Sequence, residues 1–247
     1  MFNFDNIPLW QQRSALLLKP ENLERLKQAH VLVVGIGGVG AYAAELICRA
    51  GVGKITIADG DCIDPTNRNR QLPALSSTEG KSKVELMAAR LRDINPDAEI
   101  IPIHRFLKDE VTAEVLSPGF DYVIDAIDSL TQKVALIVKC LELNYPLVSS
   151  MGAGGKLDPT QVKITDISKT YQCSLAKVIR KRLHRQNIHK GFQAVFSAEE
   201  IPEHAIYSYD AEDGKSGSIV GTISYMPAVF GCSCASVVIR GLIQQSI

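Results

Sequence analysis

No two cysteines of this 247-residue chain form a C-x-x-C pair; the closest of the six are Cys232-x-Cys234. That spacing excludes a structural zinc ribbon, which needs thiolates paired two to four residues apart. Net charge is absent as well. The 27 basic and 27 acidic residues cancel, so bulk charge cannot drive binding to nucleic acid or membrane. Any polyanion must be held by a local patch. The first six residues, Met1 to Asn6, lack the basic and apolar stretches of an export signal, which predicts a reducing, cytoplasmic setting. Internal repeats, low-complexity tracts and Gly/Ser linkers are missing too. One domain over 1–247 with a C-terminal elaboration is therefore expected. Hydrophobic residues at 46% and charged residues at 22% exclude disorder and allow one large core.

What the chain does have is a rhythm of strands and helices. Short, β-branched apolar runs predict strands over 31–34, 54–58, 99–103, 121–125 and 145–149. Between them, periodic segments predict helices over 39–50, 79–93 and 130–141. Strands separated by helices imply βαβ units, hence an α/β, Rossmann-like, mostly parallel doubly wound sheet. After residue 155 the rhythm changes. A strand over 161–165, a basic helix over 174–185 and an irregular stretch over 192–218 are expected. The apolar segment 224–243 has nearly the length of a membrane span, but Pro227, Arg240 and scattered serines interrupt it. A helix buried against the sheet is favoured, and no membrane partner is expected.

The chemistry gathers at the strand ends. Gly35-Ile-Gly37-Gly38-Val-Gly40 follows a strand and opens a helix, the context in which such a turn cradles phosphate. Gly35 permits the tight turn, Gly37 lets backbone N–H groups approach a phosphate, and Gly40 lets helix and strand pack closely. Asp59, about 20 residues on, stands where a carboxylate accepts ribose hydroxyls. Beyond it come Asp61, Asn67, Arg68, Arg70 and Gln71, then Lys81 and Lys83. A dinucleotide does not need so many cations, whereas a triphosphate that expels pyrophosphate does. Asp125-Ala-Ile-Asp128 ends the fourth strand, and a carboxylate there suits Mg2+ bridging phosphates. The combination reads as ATP-dependent adenylation. An NAD-dependent oxidoreductase and a non-catalytic nucleotide-binding scaffold are the readings from other classes.

Arg13, Gly35–Gly40, Asp59, Asp61, Asn67, Arg70, Lys83 and Asp128 together resemble the adenylating superfamily that activates ubiquitin and the sulfur carriers. The resemblance implies that Asp59 and Asp61 hold the ribose, that Arg70 and Lys83 hold phosphates, and that Asp128 sits near Mg2+. It also implies that Arg13 reaches across a homodimer into the partner's site. Val123–Ser129, Gly152–Gln161 and Ile164–Thr170 look like one branch, the tRNA threonylcarbamoyladenosine dehydratases. Missing zinc pairs and Ser129 after Asp128 set the chain apart from sulfur-carrier activators. Membership implies a nucleotide-binding core over about 28–150 and a substrate-binding part over about 151–247. The implied reaction is adenylation of the threonyl carboxylate of threonylcarbamoyladenosine in tRNA, then ring closure. An activator of a ubiquitin-like or sulfur-carrier C-terminus is the alternative. A sulfur-transfer protein is a further partner that the resemblance implies for the enzyme itself.

Lys177, Arg180, Lys181, Arg182, Arg185 and Lys190 fall in a segment without Asp or Glu, and are the candidate tRNA contacts. Glu199, Glu200, Glu203, Asp210, Glu212 and Asp213 follow without an intervening Lys or Arg, so a solvated face paired with this acidic run is the competing reading. Cys48 and Cys140 read as packing residues. Cys173, at the start of the basic helix, is assigned no catalytic role.

Overall fold

The computed structural model describes residues 7–210 and 216–244. Glu212 and Asp213 lie outside them. Two N-terminal helices, α1 (Gln12–Leu18) and α2 (Pro20–Gln28), precede a chain of βαβ units. These comprise β1 (His30–Val34), α3 (Gly40–Ala50), β2 (Lys54–Ala58), α4 (Lys83–Ile94) and β3 (Glu99–Ile103). They continue with α5 (Asp109–Leu116), β4 (Tyr122–Asp125), α6 (Leu130–Glu142) and β5 (Leu147–Ser150). The C-terminal part contributes β6 (Val162–Asp166), α7 (Ser174–His184), β7 (Gln193–Ser197), β8 (Ile206–Asp210), β9 (Ser216–Val220) and α8 (Tyr225–Leu242).

Seven strands form one sheet in the order β3-β2-β1-β4-β5-β7-β6, parallel except for β6. This is an α/β Rossmann-like fold with its switch point between β1 and β4, where ligands of open sheets bind. Successive residues of β1 alternate between two cores: Val31 and Val33 join α3, α4 and α8, while Leu32 and Val34 join α5, α6 and α7. Burial on both faces explains the unbroken apolar runs. Cys48 and Cys140 are fully buried, one in each core. Helix α8 is, among the described residues, long and apolar enough to cross a membrane. It instead packs along α3 and the sheet, burying Met226, Phe230, Cys234 and Val238.

Three expectations need correction. Among the described residues, the stretch 192–218 carries strands: β7 joins the main sheet, and β8 and β9 pair antiparallel. A run of four buried residues, Ala194–Ser197, makes β7 a central strand despite its polar flanks. The helix expected from residue 79 begins at Lys83, because Ser82 caps it by accepting the Glu85 N–H at 3.5 Å. Helices α1, α2 and α5 were not foreseen; α2 offers the core only Leu23 and Leu26.

Candidate active site

The carboxyl ends of β1, β2, β4 and β5 open onto one cleft of about 940 Å³. Its first wall is the turn after β1. Gly35 has φ +87°, and a Cβ there would lie 2.7 Å from the Ala126 carbonyl oxygen. A Cβ on Gly40 would lie 1.8 Å from the Gly35 oxygen. The turn therefore closes only with glycine at both positions. Gly35, Gly37 and Gly38 line the cleft.

Asp59 ends the second wall and is tied to the first. Its carboxylate accepts the Ile36 N–H at 2.6 Å and the Asp61 N–H at 2.8 Å. Burial pushes its pKa above the ordinary value, against the pull of those N–H groups and of Lys83. The Asp61 carboxylate holds the Lys83 ammonium at 2.8 Å, and the Lys83 side chain is only 7% exposed. A lysine at the first turn of α4 is thus fixed against the cleft by a β2-end carboxylate.

Arg70 follows the short turn Pro65–Asn67. Its guanidinium donates to the Thr66 carbonyl at 3.0 Å and the Asn69 side chain at 2.9 Å. Its stem passes beside Gly38, 3.5 Å from where a Cβ would stand. Gln71 lies beside Gly37, buried, and its Oε1 has no hydrogen-bond partner. A buried acceptor left open is costly unless a donor from water or a bound molecule reaches it.

Asp128 lines the cleft from the loop between β4 and α6, and is exposed. Asp125 has a different task. It is wholly buried, paired with the buried Lys133 at 2.8 Å, and accepts from Ser149 Oγ at 2.6 Å and the Ile127 N–H at 3.1 Å. That network fixes the floor from which Asp128 projects. Beyond it, Gly152–Gly154, Lys156 and Cys173 form the far wall, and Ile206, Ser218 and Val220 of the β8–β9 pair contribute to the lining.

The structure thus brings Gly35, Gly37, Gly38, Asp59, Asp61, Arg70, Lys83 and Asp128 to one cleft. Three predicted residues lie elsewhere. Gly40 acts by close packing. Asn67 is turned into its own loop, where its Oδ1 accepts the Asp64 N–H at 3.2 Å in a capping box, and it does not line the cleft. Arg13 is exposed on α1 and does not line the cleft of its own chain. The six basic candidates fall on α7 and the loop after it, whose inner face buries Ala176, Ile179 and Leu183. Lys177, Lys181, Arg185 and Lys190 are exposed. Arg180 donates to Thr170, and Arg182 to Thr131 at 3.3 Å. Among the described residues, no ion pair joins them to the acidic run.

A model of the ThiF family matches residues 11–246. The tRNA threonylcarbamoyladenosine dehydratase of Bacillus subtilis (strain 168) is 42% identical over 239 residues, covering 94% of this chain and 94% of that protein. A crystal structure of the E. coli tRNA N6-threonylcarbamoyladenosine dehydratase, TcdA, in complex with ATP matches with TM-score 0.86 and 38% identity, covering 95% of each chain. The same E. coli protein in complex with AMP matches with TM-score 0.85 and 36% identity, over 99% of this chain and 98% of that one.

Proposed function

This chain belongs to the ThiF family, and from that membership and the cleft we infer an ATP-dependent tRNA threonylcarbamoyladenosine dehydratase. The observation that carries the reading is the convergence of a glycine turn, Asp59, Arg70, Lys83 and Asp128 on one cleft. The enzyme adenylates the threonyl carboxylate of the modified nucleoside. Carboxylate oxygen attacks the α-phosphate of ATP and pyrophosphate leaves. An atom of the same side chain then attacks the activated carbonyl, expelling AMP and closing a ring, with the net loss of one water. Ring closure is intramolecular, so positioning and charge stabilisation suffice and no covalent enzyme intermediate is needed. No atom of the product comes from sulfur, so the closure itself does not require a sulfur-transfer partner.

The roles follow from placement. Backbone N–H groups of the Gly35–Gly38 turn and the N-terminus of α3 meet phosphate. Asp59 accepts from ribose hydroxyls, a role its place at the end of β2 supports. Arg70 and Lys83 neutralise charge developing on the leaving pyrophosphate, and Asp61 keeps Lys83 in position. Asp128 is a single carboxylate that would share Mg2+ with phosphate oxygens, supplying further neutralisation. Among the described residues no three His, Cys, Asp or Glu side chains gather, which suits a metal bound chiefly through the nucleotide. The basic face of α7 supplies tRNA contacts, and Arg13 enters the cleft of a second copy in a homodimer. All six cysteines are free, in keeping with work in the cytoplasm.

Incubation of the protein with ATP and tRNA carrying threonylcarbamoyladenosine tests the reading. AMP and pyrophosphate should appear, and nucleoside mass spectrometry should show loss of one water. Asp128→Ala should lower this turnover by about a hundredfold or more. AMP formation only with a carrier protein ending in Gly-Gly would instead establish the sulfur-carrier reading.

A further inference from the structure

The threonyl carboxylate must be held beside the α-phosphate, yet Arg70 and Lys83 are engaged by ATP, and Lys83 is already paired with Asp61. A cation for the carboxylate has to come from elsewhere in the cleft. Lys156 offers one. The turn after β5 that carries it is rigidly built: Gly155 has φ +69°, a Cβ there would lie 2.5 Å from Ile201, and its N–H donates to the Gly221 carbonyl at 2.7 Å. On the other side, the Glu199 carboxylate accepts the N–H groups of Leu157 and Asp158, each at 2.9 Å.

Lys156 itself is only 3% exposed while lining the cleft. Its ammonium donates to the Glu199 backbone carbonyl. Among the described residues it has no carboxylate within ion-pair distance, because the nearby Glu199 side chain is occupied by the backbone. Burial lowers its pKa, opposed by the charges of Cys173, Glu199 and Glu200. A buried ammonium that touches no carboxylate is only partly compensated, and an anion entering the cleft adds to that compensation.

We propose that Lys156 binds the free carboxylate of the substrate's threonylcarbamoyl group and thereby selects modified over unmodified tRNA. The proposal rests on the dehydratase reading above. Glu199 acts through it as a positioning residue, by fixing the turn.

Lys156→Met keeps the stem and removes the charge, and Lys156→Arg keeps the charge. Affinities of the full-length protein would be measured for ATP, for tRNA with the threonylcarbamoyl group, and for the same tRNA without it. In Lys156→Met, affinity for modified tRNA should fall about tenfold or more. Affinities for ATP and for unmodified tRNA should stay within about twofold, so the preference vanishes. Lys156→Arg should restore part of it. Unchanged preference in Lys156→Met would overturn the proposal, and so would a parallel loss of ATP affinity, which would assign Lys156 to the nucleotide. Failure of the dehydratase reading looks different: the unaltered protein would bind both tRNAs alike and release no AMP with either.

Discussion

Glycines three apart in one turn carry different loads. A methyl group on Gly37 would meet only the Gln71 side chain, with Nε2 at 3.7 Å, an ordinary contact. On Gly40 it would strike the Gly35 carbonyl oxygen at 1.8 Å, a backbone atom that cannot step aside. Gly37→Ala should therefore leave the midpoint of thermal unfolding nearly unchanged while weakening ATP binding about tenfold, since the methyl occupies the approach to the N–H groups. Gly40→Ala should cost about 3 kcal/mol or more of folding stability, measured by chemical denaturation without ligand. Equal losses of stability in both would contradict the division of labour. The same scale separates Asp128 from Asp125. Asp125 ends β4 and is consumed by the buried pair with Lys133, while Asp128, three residues on in the following loop, faces the cleft.

Between elements, charge pairs tie helices that share a core. Glu45 on α3 accepts from Arg90 on α4 at 2.6 Å and from Arg49 at 2.8 Å. Burial works against its charge, but the two guanidinium groups outweigh it and hold the carboxyl below the ordinary 4.5. A carboxylate depressed on folding stabilises above its unfolded pKa and loses that contribution as pH falls through the folded value. Both arginines are about half exposed, so the contribution at neutral pH is at most about 1 kcal/mol. Glu45→Gln should thus be the less stable protein at about pH 7, with the gap closing in denaturation curves as pH falls below the ordinary 4.5. A gap independent of pH would point to packing instead. Legibility at this scale followed burial. Strands β1, β2 and β4 were readable because faces buried on both sides demand apolar runs. The pair β8–β9 was not, because Ile206-Tyr-Ser-Tyr209 alternates over a two-stranded sheet whose members stay largely exposed. The cleft's nucleotide side was legible for a related reason: its residues follow strand ends in compact motifs. Gln71 and Lys156 were not assigned roles, because an open buried oxygen and a 3% exposed ammonium arise from tertiary enclosure that no local pattern records.

For the whole molecule, Arg13 is the residue that one copy leaves without a site. It sits exposed on α1, flanked by outward apolar side chains: Leu9 is 85% exposed, Leu16 59% and Leu17 81%. Bulky apolar groups clustered on a short N-terminal segment suit burial against another chain. In a twofold dimer each Arg13 would then complete the opposite cleft. Mixing two inactive variants tests this without a structure of the assembly. In a heterodimer of Arg13→Ala with Asp128→Ala, one cleft regains both groups if Arg13 crosses over, and the other loses both. Random exchange of equal amounts makes about half the dimers mixed, so about a quarter of all clefts become intact. AMP formation should rise from near zero in either variant alone to about that fraction of the unaltered protein. If Arg13 served its own chain, every cleft in the mixture would still lack one group, and activity would stay at the level of the separate variants.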